Sequence, residues 1–479
     1  MEEENLKYKT KKGLYWTLIN QFANQGMTFL IGIIMARLLC PSDYGITALP
    51  AVFIGVAYVF IDGGLGLALV RKEKVTEEDL STAFYYSIGV GIICYLCLFF
   101  TAPLIADFYN TPILVDLIRI TALTFLWGPL GTPQGVILQR RLDFKTPARI
   151  SVINKIVSSI LGITAAYCGY GLWALVIASL SSSLLGLIQT WWVVKWLPKA
   201  PFSKYSFKYL WNFGNKMIGV NLMDCIFGNI TPIFIGKYYS TANLGEYNRA
   251  LGYASLPPTQ VTNMLNGITF PILSKVQGED DKLAEAYRKM IKVANFIVFP
   301  IMIMIAVLAR PLIIVIITEK WLACVVFLQL MCFWKIWIPT CALNLTYLQV
   351  KGRTDIYLKL EMFKKIHTLA IMLITLPIGI NTFICGSIFN SFLCVIENTY
   401  CVGKISHYGI WKHIKDMLPT LLLSVFMGFI VYISISQLSS NLMQLIVGSI
   451  ISPIVYFLSA YILKFDELQE VKYLLSTRK

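Results

Sequence analysis

Charged residues and histidine are scarce in this chain. Only 14% of its 479 residues are charged and three are histidine, whereas soluble domains carry about a quarter charged residues. A solvated globular surface is thereby excluded. No P-loop is written anywhere, so the chain encodes no ATP engine of its own. Gly64-Leu65-Gly66 follows no strand of a βαβ unit, which removes a dinucleotide site. Alternating ten-residue strands are absent, which removes a β-barrel. The longest connector, about residues 195–213, is too short for a soluble domain. Glu279-Asp280-Asp281 sits in a short polar loop and reads as a solvated turn rather than a metal–nucleotide site. The three histidines are His367, His407 and His413, and the last two lie near a connector without metal-ligand company. Cys94-Tyr95-Leu96-Cys97 spells C-x-x-C, but inside an apolar helix, where small buried packing is the expectation rather than redox or metal chemistry.

What the chain has is hydrophobicity: 57% apolar residues and a mean hydropathy of +0.66. Apolar runs of about 20 residues recur from Gly13 to Leu463, each long enough to cross about 30 Å of hydrocarbon as a helix. The expected fold is an all-α integral membrane protein with fourteen spans, at 13–38, 46–70, 81–106, 117–138, 150–168, 172–194, 214–236, 246–273, 291–316, 322–349, 362–380, 382–402, 418–437 and 441–463. No cleavable signal peptide is expected, because the first span, after Lys7, Lys9, Lys11 and Lys12, is too long for one.

The formal net charge of +15 first suggests nucleic acid, but its distribution argues against that. Of the 41 Lys and Arg, 34 fall on every second connector, counted from the N-terminus; the exceptions are Arg37, Arg119, Lys237, Arg249, Arg310, Lys320 and Lys335. Alternation of this kind is the positive-inside pattern. It predicts both termini in the cytoplasm (residues 1–12 and 464–479) and an even number of spans.

The sequence also repeats itself. Ala36-Arg37-Leu38-Leu39-Cys40-Pro41-Ser42-Asp43-Tyr44-Gly45 has a counterpart in Gly236-Lys237-Tyr238-Tyr239-Ser240-Thr241-Ala242-Asn243-Leu244-Gly245, at an offset of 200. Ala102-Pro103-Leu104-Ile105 resembles Arg310-Pro311-Leu312-Ile313, and Leu138-Gln139 resembles Leu348-Gln349, at offsets of 208 and 210. The jump fits a longer connector at 274–290 than at 71–80. Two six-helix lobes follow, 13–200 and 201–402, with extra helices in 403–463. Six is even, so the lobes are expected to be related by an axis along the membrane normal.

Polar groups at membrane depth are costly and mark function or structural pairing. Span 1 carries Asn20, Gln21, Asn24 and Gln25 on one helical face. At the offset of 200, Gln21 meets Asn221 and Asn24 meets Asp224. Two readings stand side by side: the lining of a hydrated cavity, or interhelical hydrogen bonding. Lys335 is the deepest cation, placed either to bind an anionic headgroup or to neutralise Asp224. Arg37, Lys237 and Arg249 lie near outer helix ends, where snorkelling is the alternative to ligand binding. Asp62, Asp224 and Glu397 are the gate or ion-coupling candidates. No catalytic or metal residues are expected.

These residues resemble a family. Ala36-Arg37-Leu38-Leu39-x-Pro41-x-Asp43-Tyr44-Gly45, Asp62-Gly63-Gly64-Leu65-Gly66, Leu138-Gln139-Arg140-Arg141-Leu142 and Gly169-Tyr170-Gly171-Leu172-Trp173 look like the polysaccharide-exporter branch of the multidrug/oligosaccharidyl-lipid/polysaccharide flippase superfamily, the Wzx-type transporters. The resemblance is dense over 13–200 and weak beyond 360. It implies a flippase, not an enzyme, of the bacterial inner membrane. The implied substrate is an undecaprenyl-pyrophosphate-linked oligosaccharide, such as an O-antigen, capsule or exopolysaccharide unit. It also implies a two-lobed MATE-like fold, alternating access and no cofactor. Coupling to H+ or Na+, and contact with other polysaccharide-assembly membrane proteins, are further expectations. The rivals are a multidrug or cation antiporter of the same fold, and a membrane-embedded oligosaccharide polymerase or ligase.

Overall fold

A computed structural model describes residue 21 and residues 23–275, 277–406 and 408–470. Asn20 and His407 lie outside the described residues. Fourteen long helices, some of them broken internally, follow in chain order among the described residues: α1 (residues 23–38), α2 (Pro41–Arg71), α3 (Glu77–Tyr109), α4 (Leu114–Arg140), α5 (Lys145–Tyr167), α6 (Trp173–Val194), α7 (Lys204–Tyr238), α8 (Thr241–Lys275), α9 (Asp280–Val307), α10 (Ala323–Val350), α11 (Thr354–Thr375), α12 (Ile380–Ser406), α13 (Ile410–Ser436) and α14 (Asn441–Ile462), with a short separate helix, Ala309–Ile317, between α9 and α10. Eleven of them are long and apolar enough to cross a membrane among the described residues. Helices α1, α8 and α11, at the other three expected spans, are helical but not among those eleven.

Several long helices are interrupted where the sequence demands it. Helix α2 breaks at Gly63 and Gly64, both left-handed with φ of 58° and 67°, a region an L side chain adopts only at a cost. The Asp62 carboxylate accepts the Gly64 amide at 3.2 Å, and the Tyr86 hydroxyl donates to the Phe60 carbonyl at 3.1 Å, so side chains satisfy two backbone polar groups at the break. A side chain here would also collide with α7, since a Cβ on Gly64 would lie 2.9 Å from the Gly214 Cα. Helix α4 tightens to a 3-10 turn at Gly128–Gly131, and α10 breaks around Ile336–Trp337, just before Pro339.

Two expectations change in detail. The second-half connector is not longer: α9 starts at Asp280, so the additional residues became helix rather than loop. The paired prolines also differ. Pro103 stays inside continuous α3, whereas Pro311 falls in a separate helix, Ala309–Ile317, after a break at Leu308.

The chain forms two compact units that divide between Gly245 and Glu246. In the first, Leu65 and Leu69 of α2, Phe84 of α3, Val136 of α4 and Leu210 of α7 share one core. Its loop between α2 and α3 is held by Arg140. This guanidinium donates to the carbonyls of Leu69 (3.0 Å), Val70 (3.2 Å), Lys72 and Glu73 (2.8 Å), and so caps carbonyls that the end of α2 leaves without helical partners. Beside it, Lys72 pairs with Asp79 at 2.6 Å, and Thr76 with Asp79 forms the capping box that starts α3. In the second unit Lys351, close to the matching repeat position, donates to the Gln277 carbonyl at 3.3 Å and to Asp280.

The second unit has two apolar cores. One joins Leu273, Tyr287, Leu348, Leu360 and Val402 across α8 to α12. The other joins Phe296 of α9 to Met427 of α13 and Tyr456 of α14. The C-terminal helix pair is further tied to α9 by charge. Arg288 grips Asp416 in a bidentate pair at 2.5 and 2.7 Å, the Tyr408 hydroxyl donates to the same carboxylate at 2.5 Å, and Lys292 reaches Glu467 at 3.2 Å. Burial and this carboxylate hold the Tyr408 phenol well above its usual range. Large apolar side chains elsewhere point outward, including Phe100, Trp192 and Phe429, as lipid-facing helices require.

Candidate functional site

The first unit contains a polar cavity of about 500 Å³ walled by α1, α4, α5 and α6. Such a volume is typical of a small-molecule pocket. Asn24 of α1 faces it, and the Ser151 hydroxyl of α5 donates to the Asn24 side-chain carbonyl at 3.1 Å. One turn further on, Asn154 accepts from Gln189 of α6 at 2.9 Å. Lys155 adds an ammonium to the wall and has no ion pair among the described residues. Glycines make the room: Gly131 and Gly135 line the α4 side, and a Cβ on Gly186 would lie 2.8 Å from the Asn154 amide nitrogen. The α5–α6 crossing is equally tight at Gly162, where a Cβ would come within 2.7 Å of the Ala178 Cβ. The wall therefore offers amides, hydroxyls and one cation at fixed positions. That chemistry suits a hydroxyl-rich, anionic ligand.

The sequence-based candidates land in different places. Asn24 lines this cavity, Gln25 follows it on α1 and is half-buried, and Gln21 is half-buried too. Asn221 is half-buried on α7 and Asp224 is exposed one turn later. Arg37 is exposed at the end of α1. Lys237 donates to the Phe108 carbonyl and lies 4.4 Å from that ring's centre, so it joins α7 to the C-terminal end of α3. Asp62 caps the Gly63–Gly64 break. In the second unit, Lys335 ends the first half of α10, 3.6 Å from the centre of the Trp334 ring. Arg249 sits between the rings of Tyr253 and Trp321, at 5.9 and 5.6 Å. Glu397 meets His367 at 3.1 Å.

Ser151, Asn154, Lys155 and Gln189 escaped the sequence reading. Ser151, Asn154 and Ser158 recur at i, i+3 and i+7 along α5, so the polar face of α1 has a second wall written in the same period. Attention to the first helix of each repeat passed over it.

The second unit has an apolar cavity of about 340 Å³ between α9, α13 and α14, lined by Phe296, Pro300, Met304, Met427, Pro453 and Tyr456. It carries no charged side chain.

Comparison with known proteins gives these features a context. The chain is 30% identical over 304 residues to the teichuronic acid biosynthesis protein TuaB of Bacillus subtilis, an alignment covering 63% of this chain and 62% of that one. It is 24% identical over 445 residues to the lipopolysaccharide biosynthesis protein WzxC of Escherichia coli, covering 89% of each. It is 22% identical over 453 residues to the succinoglycan biosynthesis transport protein ExoT of Rhizobium meliloti, covering 92% of this chain and 90% of that one. Among solved structures, the inward closed conformation of the lipid II flippase MurJ superposes with a TM-score of 0.78 at 15% identity, over 94% of this chain and 99% of that one. An inward-facing MATE-family multidrug transporter superposes at 0.58, also at 15% identity, over 80% of this chain and 96% of that one. These likenesses establish a MATE-like, MurJ-like helical membrane fold. A family model described as polysaccharide biosynthesis protein matches residues 34–326, and the chain belongs to that family.

Proposed function

We propose that this protein is a flippase for a polyprenyl-pyrophosphate-linked oligosaccharide, carrying the headgroup from the cytoplasmic to the outer leaflet of the bacterial inner membrane by alternating access. The observation that carries the reading is the polar cavity of the first unit, with Asn24, Ser151, Asn154 and Gln189 near Lys155, which has no ion pair among the described residues. A sugar headgroup with a pyrophosphate cannot enter hydrocarbon unaided, because each unsatisfied polar group costs several kcal/mol there. Amide and hydroxyl side chains replace the water on the sugar, and an ammonium offsets phosphate charge. The polyprenyl tail needs no such replacement and stays in lipid. The names of the relatives, polysaccharide-assembly proteins and a transport protein among them, point to the same substrate class.

Alternate-loop charge supports cytoplasmic termini. With no P-loop in the chain, the drive comes from a gradient of H+ or Na+, for which Asp62, Asp224 and Glu397 are the candidate carriers. The protein moves its substrate without chemical change and works beside other polysaccharide-assembly membrane proteins. A drug–cation antiporter of the same fold would place acids, not Lys155, in the cavity wall.

The test is flipping in proteoliposomes with a lipid-linked oligosaccharide whose glycan is read out by an externally added glycosidase. The wild-type protein is expected to expose the glycan, and Lys155→Gln with Asn154→Ala to slow exposure at least tenfold at equal protein levels. Export of a cationic dye with no glycan movement would replace this reading with the antiporter.

A further inference from the structure

Helices α11 and α12 bring together three side chains of metal-ligating type. His367 comes from α11; Cys394 and Glu397 lie one turn apart on α12. One ligand atom from each lies within 4.8 Å of the others. The histidine is oriented from behind. The Asn390 amide donates to the Thr368 hydroxyl at 2.9 Å, which turns the Asn390 carbonyl oxygen to His367 Nδ1 at 2.7 Å. A carbonyl oxygen only accepts, so Nδ1 carries a proton, and in the neutral ring the Nε2 lone pair faces the cluster. There it meets the Glu397 carboxylate at 3.1 Å. Two acceptors face each other at that distance only with a cation or a shared proton to hold them.

We propose that His367, Cys394 and Glu397 bind a divalent cation of the zinc class. Three observations make a metal ion the better filling than a proton. The donor set is mixed nitrogen, sulfur and oxygen, which zinc-class ions prefer over Mg2+ or Ca2+. The second partner on Nδ1 is the arrangement that sets the tautomer of metal-bound histidines. The charges also close: a thiolate and a carboxylate neutralise a divalent ion, and a neutral cluster is the state that low-dielectric surroundings tolerate best. The neighbouring Lys364 does not upset this balance, because Glu361 pairs with it. Tetrahedral coordination puts ligand atoms about 3.3–3.7 Å apart, so closing the cluster needs shifts of about 1 Å. Three protein ligands leave a fourth position for water. The ion would fasten α11 to α12 and thereby set how freely that pair moves; this inference is independent of the substrate.

Titration of the purified, reduced, chelator-stripped full chain with Co2+ tests it. One equivalent should produce a thiolate-to-cobalt absorption band that Zn2+ displaces. The band should vanish in Cys394→Ser, and Co2+ should bind at least tenfold more weakly to His367→Gln and Glu397→Gln. The double variant Cys94→Ser/Cys97→Ser should keep it. No band in the wild type, or a band that survives Cys394→Ser, overturns the site and leaves a His367–Glu397 ion pair. Should Cys394→Ser aggregate, the other two variants decide, and unchanged Co2+ affinity in both overturns the proposal.

Discussion

Gly45 packs against the backbone carbonyl of Thr241, and the repeat partners of these two residues do the same in reverse. A Cβ on Gly45 would lie 1.7 Å from the Thr241 oxygen, and one on Gly245 would lie 1.9 Å from the Pro41 oxygen. The offset of 200 therefore carries a physical meaning. The starts of α2 and α8 meet through a reciprocal contact that only glycine permits at both centres.

Alanine at either glycine should be costly. Gly45→Ala and Gly245→Ala each force backbone apart, and overpacking of this kind costs about 1–3 kcal/mol. Gly89→Ala in α3 has no neighbour within 4 Å and should leave stability unchanged or raise it by about 0.5–1 kcal/mol, since alanine is the better helix former. Thermal unfolding in detergent distinguishes the pair of sites from the control; equal melting temperatures for all three would remove the close-approach argument.

Arg140 is expected to resist conservative exchange. Its fork serves four carbonyls, and an ammonium cannot cover the same geometry. Arg140→Lys should lose most of what Arg140→Ala loses, about 2–3 kcal/mol. Limited proteolysis at residues 72–76 reads the loosened loop directly. Full protection in Arg140→Lys would show that charge, not the fork, does the holding.

The Arg288–Asp416 pair makes a separate prediction for the C-terminal helices. Asp416→Asn keeps the shape but removes the charge that Arg288 and Tyr408 address. Arg288 is 49% exposed, so solvent weakens the pair, and the loss should be about 1–2 kcal/mol rather than the 3–5 of a fully buried pair. A double-mutant cycle with Arg288→Gln isolates the coupling. A coupling of zero would make the pair incidental to docking.

Lys155 and Lys335 are rival cations for an anionic headgroup. Lys155→Gln is expected to impair oligosaccharide export at normal protein levels. Lys335→Gln should do so only if the Trp334 ring beside it is not its whole role. Unchanged export in Lys155→Gln together with loss in Lys335→Gln would move the anion site to the second unit.

Much of this was written plainly in the chain. The all-helical membrane architecture followed from apolar length, and the paired ARLLCPSDYG and GKYYSTANLG segments marked a contact between their own glycines. Polar periodicity singled out Asn24 on α1. The rest needed three dimensions. Lys155 read as one more inner-end cation, because charge counts by loop cannot tell a topological lysine from one beside a cavity. His367 drew no reading because its partners sit on another helix, and no one-dimensional spacing records a side-by-side pair. Arg140 looked like a basic loop residue until four carbonyls were found around it.

The reciprocal glycine contact also bears on how the chain is made. The partner of Gly45 belongs to the second repeat and is synthesised nearly two hundred residues later. A ribosome that has delivered the first six helices has not yet delivered the surface they close on. The first unit ends at Gly245, not at the sequence repeat boundary near 200. A fragment cut at 200 should therefore insert but stay prone to degradation, whereas one extended through Gly245 should persist. During synthesis, the helices already in the membrane must wait for α7 and the start of α8.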